Sequence, residues 1–212
     1  MLQAIIRQRS LGAESSTFRG GRSIPTTLKT SDAWSSSEAV RLDVQAPKFA
    51  PLIGAIVTGW AFVEVELART FAAAMGGHTR GADGTINLAQ DWVATAAFRH
   101  VGQWHQKVTL VTATLGPFLD KALTREWSGL TSFLQKVSEE RNTAAHAAWH
   151  QSPEYPDHLV RMPPKAPPSL YSVADFEAIL ARIEGGRRRI HEFLLQVLEA
   201  KDAGRIRVPP IN

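Results

Sequence analysis

The chain has 212 residues with 24 Lys and Arg, 20 Asp and Glu and no cysteine. The absence of cysteine excludes disulfide frameworks, thiolate zinc sites and cysteine nucleophiles, and is compatible with a reducing cytosol. Of the formal net charge of +4, residues 1–48 carry +3 and the remaining 164 residues +1. A nearly neutral folded part argues against sequence-independent nucleic-acid binding through bulk charge, so any nucleic-acid handling must be local.

The first 48 residues are rich in Ser, Thr, Gly and Arg and have few regularly spaced apolar positions, which predicts a disordered N-terminal extension. A helical domain is expected over residues 49–203, followed by a short tail at 204–212. No apolar run approaches the length that spans a bilayer, so we expect a soluble, cytoplasmic protein without membrane contact.

Helical spacing marks three long segments. The first, with apolar positions from Ile53 to Phe71, starts at Pro51 and ends at Gly76-Gly77. The second runs from Trp127 towards Trp149, and a piece from Phe118 to about Glu126 either merges with it or meets it at a kink. The last helix opens at Ser172, where Ser-x-x-Asp resembles a capping box.

The segments between these helices are less regular. Leu88 to Leu115 is compatible with a helix that Gly116-Pro117 breaks. Six of the 12 prolines lie in residues 153–168, which predicts an extended loop with a short edge strand or hairpin near Leu159 to Met162. The expected fold is therefore all-α, a four- or five-helix up-down bundle with a proline-rich excursion before its last helix.

The end of the second long segment carries the candidate site. It reads Arg141-Asn142-Thr143-Ala144-Ala145-His146 and is called the motif below. Asn142 and His146, four residues apart, share a helix face, while Arg141 lies about 140° from His146. Arginine binds phosphate with a planar charged fork, and histidine exchanges protons near neutral pH, so the motif indicates phosphodiester chemistry in which Asn142 orients the imidazole.

The motif resembles that of the HEPN (higher eukaryotes and prokaryotes nucleotide-binding) family, an Arg followed after a few residues by His, with Asn often next to the Arg. The resemblance covers roughly residues 50–200. It implies a homodimer in which two motifs form one site for metal-independent cleavage of RNA, with no cofactor. It also implies a toxin or defence role, with an antitoxin protein as a possible partner.

Several other residues are weighed beside the motif. Glu64, one turn after Trp60, is either a solvated flank or a partner of Arg141, and Glu140 and His150 are possible supporting residues. His146 and His150 have the spacing of a two-histidine zinc site, but the Glu of the zinc-protease motif is replaced by Ala147, so we expect no metal.

Two alternatives remain open. A second match to the same pattern runs from Arg99 to His105, where a solvent-facing helix explains the residues equally well. The motif itself has a structural explanation, in which Glu139 and Glu140 pair with basic residues and Arg and His stabilise a helix end. The rival function is a non-catalytic helical interaction module that keeps the fold and the dimer.

Overall fold

The computed structural model describes residues 25–27, 46–75, 78–80, 86–88, 92–163 and 166–206. Five helices occupy most of this part of the chain. They are α1 (Ala50–Ala74), α2 (Trp92–His100), α3 (Trp104–Leu115), α4 (Lys121–His146) and α5 (Val173–Asp202). The short strands are β1 (Thr26–Thr27), β2 (His78–Arg80), β3 (Ile86–Leu88), β4 (Trp149–His150), β5 (Leu159–Arg161) and β6 (Ser169–Tyr171).

The predicted limits of the three long helices are confirmed closely, whereas the segment from Leu88 to Leu115, expected to be compatible with one helix, forms two helices, α2 and α3, and Leu88 itself lies in β3. Helix α4 is continuous from Lys121, so the two predicted pieces merge, and Asp120 caps its start by accepting a hydrogen bond from the Leu123 amide at 2.9 Å. The capping box of α5 is present, with Asp175 Oδ2 accepting from the Ser172 amide at 2.8 Å. A 3₁₀ turn at Gly116–Phe118 separates α3 from α4, as the Gly-Pro pair predicts.

The three long helices form the body of the bundle. Helix α1 packs most extensively on α5, which also packs on α4. Glu140 pairs with Arg182 and Glu126 with Gln196, so α4 and α5 run antiparallel. The core between the helices is lined by large buried side chains, among them Trp60, Leu67, Leu130, Leu134, Ile183 and Phe193.

Two glycines allow the close approach of these helices. A Cβ added to Gly186 on α5 would lie 2.8 Å from Leu134 Cδ2 on α4, and one added to Gly59 on α1 would lie 3.2 Å from Ile183 Cγ2 on α5. Glycine weakens a helix by propensity. At Gly186 the packing explains why glycine is needed, because a side chain there would collide with Leu134.

The predicted helical character of the fold is confirmed, but the fold is not all-α, because the proline-rich excursion belongs to a small sheet. β1, β6, β5 and β4 form a four-stranded antiparallel sheet in that order. The strand predicted near Leu159 is therefore an inner strand rather than an edge strand. Thr26 and Thr27, from the predicted extension, pair with Leu170 and Ser169, and residues 1–24 and 28–45 lie outside the described part of the chain.

Helix α1 departs from the sequence expectation about membranes. Of the helices in the described residues, α1 alone is long and apolar enough, by length and composition, to cross a bilayer. Its buried side chains, such as Ile56, Trp60 and Val63, nevertheless join the same core as α4 and α5. Within the apolar stretch that meets this criterion, 22% is buried inside the structure.

Candidate functional site

The motif forms the last turn and a half of α4. His146 is the final helical residue, and the extended backbone of Ala147 ends the helix while its amide still donates to the Thr143 carbonyl at 3.0 Å. The side chain of His146 is exposed.

Arg141 lies half-buried, and its guanidinium has unused hydrogen-bonding capacity. One terminal nitrogen donates to Asn142 Oδ1 at 2.8 Å, whereas Nε is buried and has no hydrogen-bond partner. Among the described residues no carboxylate lies within 4 Å of this guanidinium. A permanently charged fork without a carboxylate partner is suited to an oxyanion such as phosphate.

The structure corrects the role expected for Asn142. Its carboxamide oxygen holds Arg141, and no hydrogen bond within the described part of the chain joins it to His146. Arg141 and His146 also leave α4 in directions about 140° apart, as five residues of an α-helix require. Arg141 projects towards the side of Leu134, which is fully buried, while His146 projects into solvent.

The two glutamates before Arg141 are both engaged elsewhere. Glu140 Oε2 accepts from Arg182 Nε of α5 at 2.7 Å, and Glu139 Oε1 accepts from Gln135 at 3.0 Å. Glu140 therefore ties the start of the motif to α5, and the cation it neutralises is Arg182. Sequence reasoning missed Arg182, since nothing local in the sequence indicates which helix faces Glu140.

Glu64 does not support the motif. Its Oε2 accepts from Lys107 Nζ of α3 at 2.5 Å, and the Lys107 side chain is buried, with its ammonium 5.5 Å from the centre of the Phe98 ring. Of the two possibilities for Glu64, the contact with Arg141 is therefore not formed, because α3 covers this flank of α1 and supplies the counter-charge.

His150 lies outside the helix that carries the motif. It is part of β4, opposite Val160 of β5, so the i, i+4 relation to His146 no longer places both imidazoles on one helix face. No group of three or more His, Cys, Asp or Glu side chains in the described ranges is arranged to hold a metal ion.

The second sequence match is divided between two helices. Arg99 lies in the last turn of α2, His105 in the first turn of α3, and residues 101–103 break the helix between them. His100 Nδ1 lies 2.8 Å from the Ala96 carbonyl oxygen. Unlike the motif, this pattern does not present its Arg and His from one continuous helix.

A tryptophan anchors the end of α4 behind the motif. Trp149 Nε1 donates to the Ala144 carbonyl at 3.2 Å, and the indole packs edge-on against Tyr171 at 5.1 Å and Phe176 at 5.3 Å. This cluster fixes the last turn of α4 against the sheet and the start of α5. Its signal in the sequence was a Trp three residues after the motif.

The comparisons with known proteins leave the family open. No family model matches this chain, and neither a curated protein nor a solved structure is significantly similar to it. The resemblance to HEPN proteins therefore depends on the motif and on the order of the helices.

Proposed function

We propose that this protein is a metal-independent endoribonuclease of HEPN type that acts as a homodimer in the cytoplasm. The observation that carries the proposal is the pairing pattern at the end of α4. Arg141 has no carboxylate partner among the described residues although Glu139 and Glu140 precede it, and His146, five residues later on the same helix, is exposed. A cation free to bind phosphate and a solvent-accessible imidazole are two of the groups that RNA cleavage by this route uses.

In the proposed reaction, a base takes the proton of a ribose 2′-hydroxyl. The 2′-oxygen forms a bond to the adjacent phosphorus, the bond from phosphorus to the 5′-oxygen breaks, and an acid protonates that leaving oxygen. The products are a 2′,3′-cyclic phosphate and a 5′-hydroxyl. Arg141 neutralises the charge that develops on the phosphate, and His146 acts as acid or base.

The divergence of the two side chains on α4 supports a dimeric site. One motif supplies a single imidazole, whereas the reaction needs both an acid and a base. Because Arg141 and His146 of one helix point about 140° apart, a second motif from a second copy would complete the site more readily than further residues of the same helix. The dimer is thus part of the catalytic proposal.

The proline-rich segment is compatible with an open site, because Asn142 and His146 are both exposed in the single chain. The proposed physiological role is that of a toxin or defence component restrained by an antitoxin protein. The rival function, a non-catalytic interaction module, is favoured by a different observation, the exposed apolar surface of α1.

The test is RNA cleavage in EDTA by the wild type, by His146→Ala and by His105→Ala. His105 is a matched control, since it is an exposed histidine on α3 that belongs to the rival pattern. We expect cleavage by the wild type and by His105→Ala, loss of at least a hundredfold in rate for His146→Ala, and products ending in cyclic phosphate. Equal rates for wild type and His146→Ala would refute the assignment, and no cleavage of varied RNAs by a folded dimer would favour the interaction module.

A further inference from the structure

Helix α1 exposes an apolar surface that no described part of the chain covers. Phe62 is 51% exposed, Val65 41% and Val57 39%. The exposed small residues Gly54, Thr58 and Ala61 lie between them, and no charged side chain occurs from Ala50 to Val63. These six residues are called the α1 face.

The spacing within the α1 face is that of a helix-pairing seam. Gly54, Thr58, Ala61 and Val65 follow one another at intervals of four, three and four residues, which is the interval pattern of the core positions in a coiled coil. Val57 and Phe62 flank this seam on its two sides. A second helix is therefore the partner whose shape fits best.

We propose that the α1 face binds the α1 face of a second copy of this chain, antiparallel about a two-fold axis that crosses the interface at the level between Gly59 and Trp60. In that register Gly54 of one copy lies level with Val65 of the other, and Thr58 lies level with Ala61. Small residues therefore meet larger ones, and one sequence provides both sides, as an isologous interface requires.

The charges beside the seam also fit this arrangement. Phe62 lies 5.9 Å from the Arg187 guanidinium, and one turn further along both helices Glu66 lies 3.7 Å from His191, so α1 and α5 run parallel. The two-fold axis places the α5 helices of both copies on the same side of the seam. Along the helix axis, the exposed Glu184 of one copy is then offset by about 3 Å from Arg187 of the other, so these opposite charges lie at nearly the same level.

This contact goes beyond the proposed nuclease and does not depend on it. The exposed side of α1 is not the side that packs on α4, so the α1 face and the motif belong to different surfaces. If two motifs also meet, as proposed above, each copy makes two contacts, which close into a tetramer when their two-fold axes intersect at right angles and otherwise form an open chain of copies.

The experiment measures molar mass by light scattering and sedimentation over a range of concentrations. The samples are the wild type, Ala61→Glu, Thr58→Lys and an equimolar mixture of the two variants. Ala122→Glu, an exposed alanine on α4, is the matched control. We expect Ala61→Glu and Thr58→Lys each to raise the dissociation constant of one assembly step at least tenfold. Each substitution places a charge in the apolar contact between two molecules of the same variant.

The mixture of the two variants tests the proposed register directly. A Glu at 61 of one copy faces a Lys at 58 of the other, so the mixture is expected to regain the mass that each variant loses, while Ala122→Glu assembles like the wild type. A wild type that stays monomeric, an unchanged mass for Ala61→Glu, or a mixture without recovery would each overturn the proposal. RNA cleavage is recorded on the same samples, and its absence bears on the nuclease alone.

Discussion

Neighbouring glycines in α5 give a direct test of the helix packing. An added Cβ at Gly186 would meet Leu134 Cδ2 at 2.8 Å, whereas at Gly185 nothing lies within 4 Å. Favourable carbon–carbon contacts need about 3.5 to 4.0 Å. Leu134 is fully buried, so its methyl group has little room to withdraw. We therefore expect Gly186→Ala and Gly185→Ala to change the stability of the protein in different directions.

The magnitudes follow from two opposing terms. Replacing a helical glycine with alanine stabilises by roughly 0.5–1 kcal/mol, and this term applies at both positions. Overpacking of a buried site costs about 1–3 kcal/mol and applies only at Gly186. Gly185→Ala should thus stabilise by roughly 0.5–1 kcal/mol, and the two variants should differ by about 1–3 kcal/mol, since the helix term cancels in the comparison.

The assay is urea unfolding followed by circular dichroism, with all variants at one protein concentration because association would shift the apparent stability. Leu134→Val removes a methylene from the crowded site. Gly186→Ala should therefore destabilise the Leu134→Val variant less than it destabilises the wild type. Equal free energies of unfolding for Gly185→Ala and Gly186→Ala would refute the close approach of α4 and α5 described above.

Two further predictions concern an ion pair and a buried hydrogen bond. The hydrogen bond that Lys48 donates to Asp157 at 2.5 Å lowers the pKa of that carboxyl. Because its folded pKa lies below the unfolded one, the pair stabilises the fold above the ordinary carboxyl pKa and loses this effect as pH falls through the lowered value. Lys48→Met should raise the Asp157 pKa in a carboxyl NMR titration, and an unchanged titration would show that the pair does not form in solution. Trp149→Phe deprives the buried Ala144 carbonyl of its indole donor and should cost about 1–3 kcal/mol in urea unfolding. Trp104→Phe, which loses ring contacts but no observed indole hydrogen bond, should cost less, and an equal loss would contradict this role for Trp149.

The sequence by itself determined the three long helices, because their signals are local. Apolar periodicity, Pro51 near the start of α1, the Gly-Pro break at 116–117 and the capping box at Ser172 each act within a few residues of the backbone they shape. The same holds for the position of the motif at the end of α4. These features were therefore predicted close to their observed limits.

Tertiary structure decided which side chains meet. Glu64 pairs with Lys107 rather than Arg141, and Glu140 pairs with Arg182, because the counter-charges come from α3 and α5. Asn142 accepts a hydrogen bond from Arg141, the residue directly before it in the chain. Ion pairs between distant residues depend on which faces pack together, and periodicity within one helix does not contain that information.

The sheet shows the same limit for strands. A two-residue strand such as β1 has no periodicity of its own, and it exists because Thr26 and Thr27 find β6 some 140 residues later in the chain. β5 becomes an inner strand for the same reason, since only the folded chain supplies neighbours on both of its sides. The local sequence predicted a short strand near Leu159. Its neighbours in the sheet could not be predicted in the same way, because hydrogen bonds between strands depend on which segments lie side by side in the folded chain.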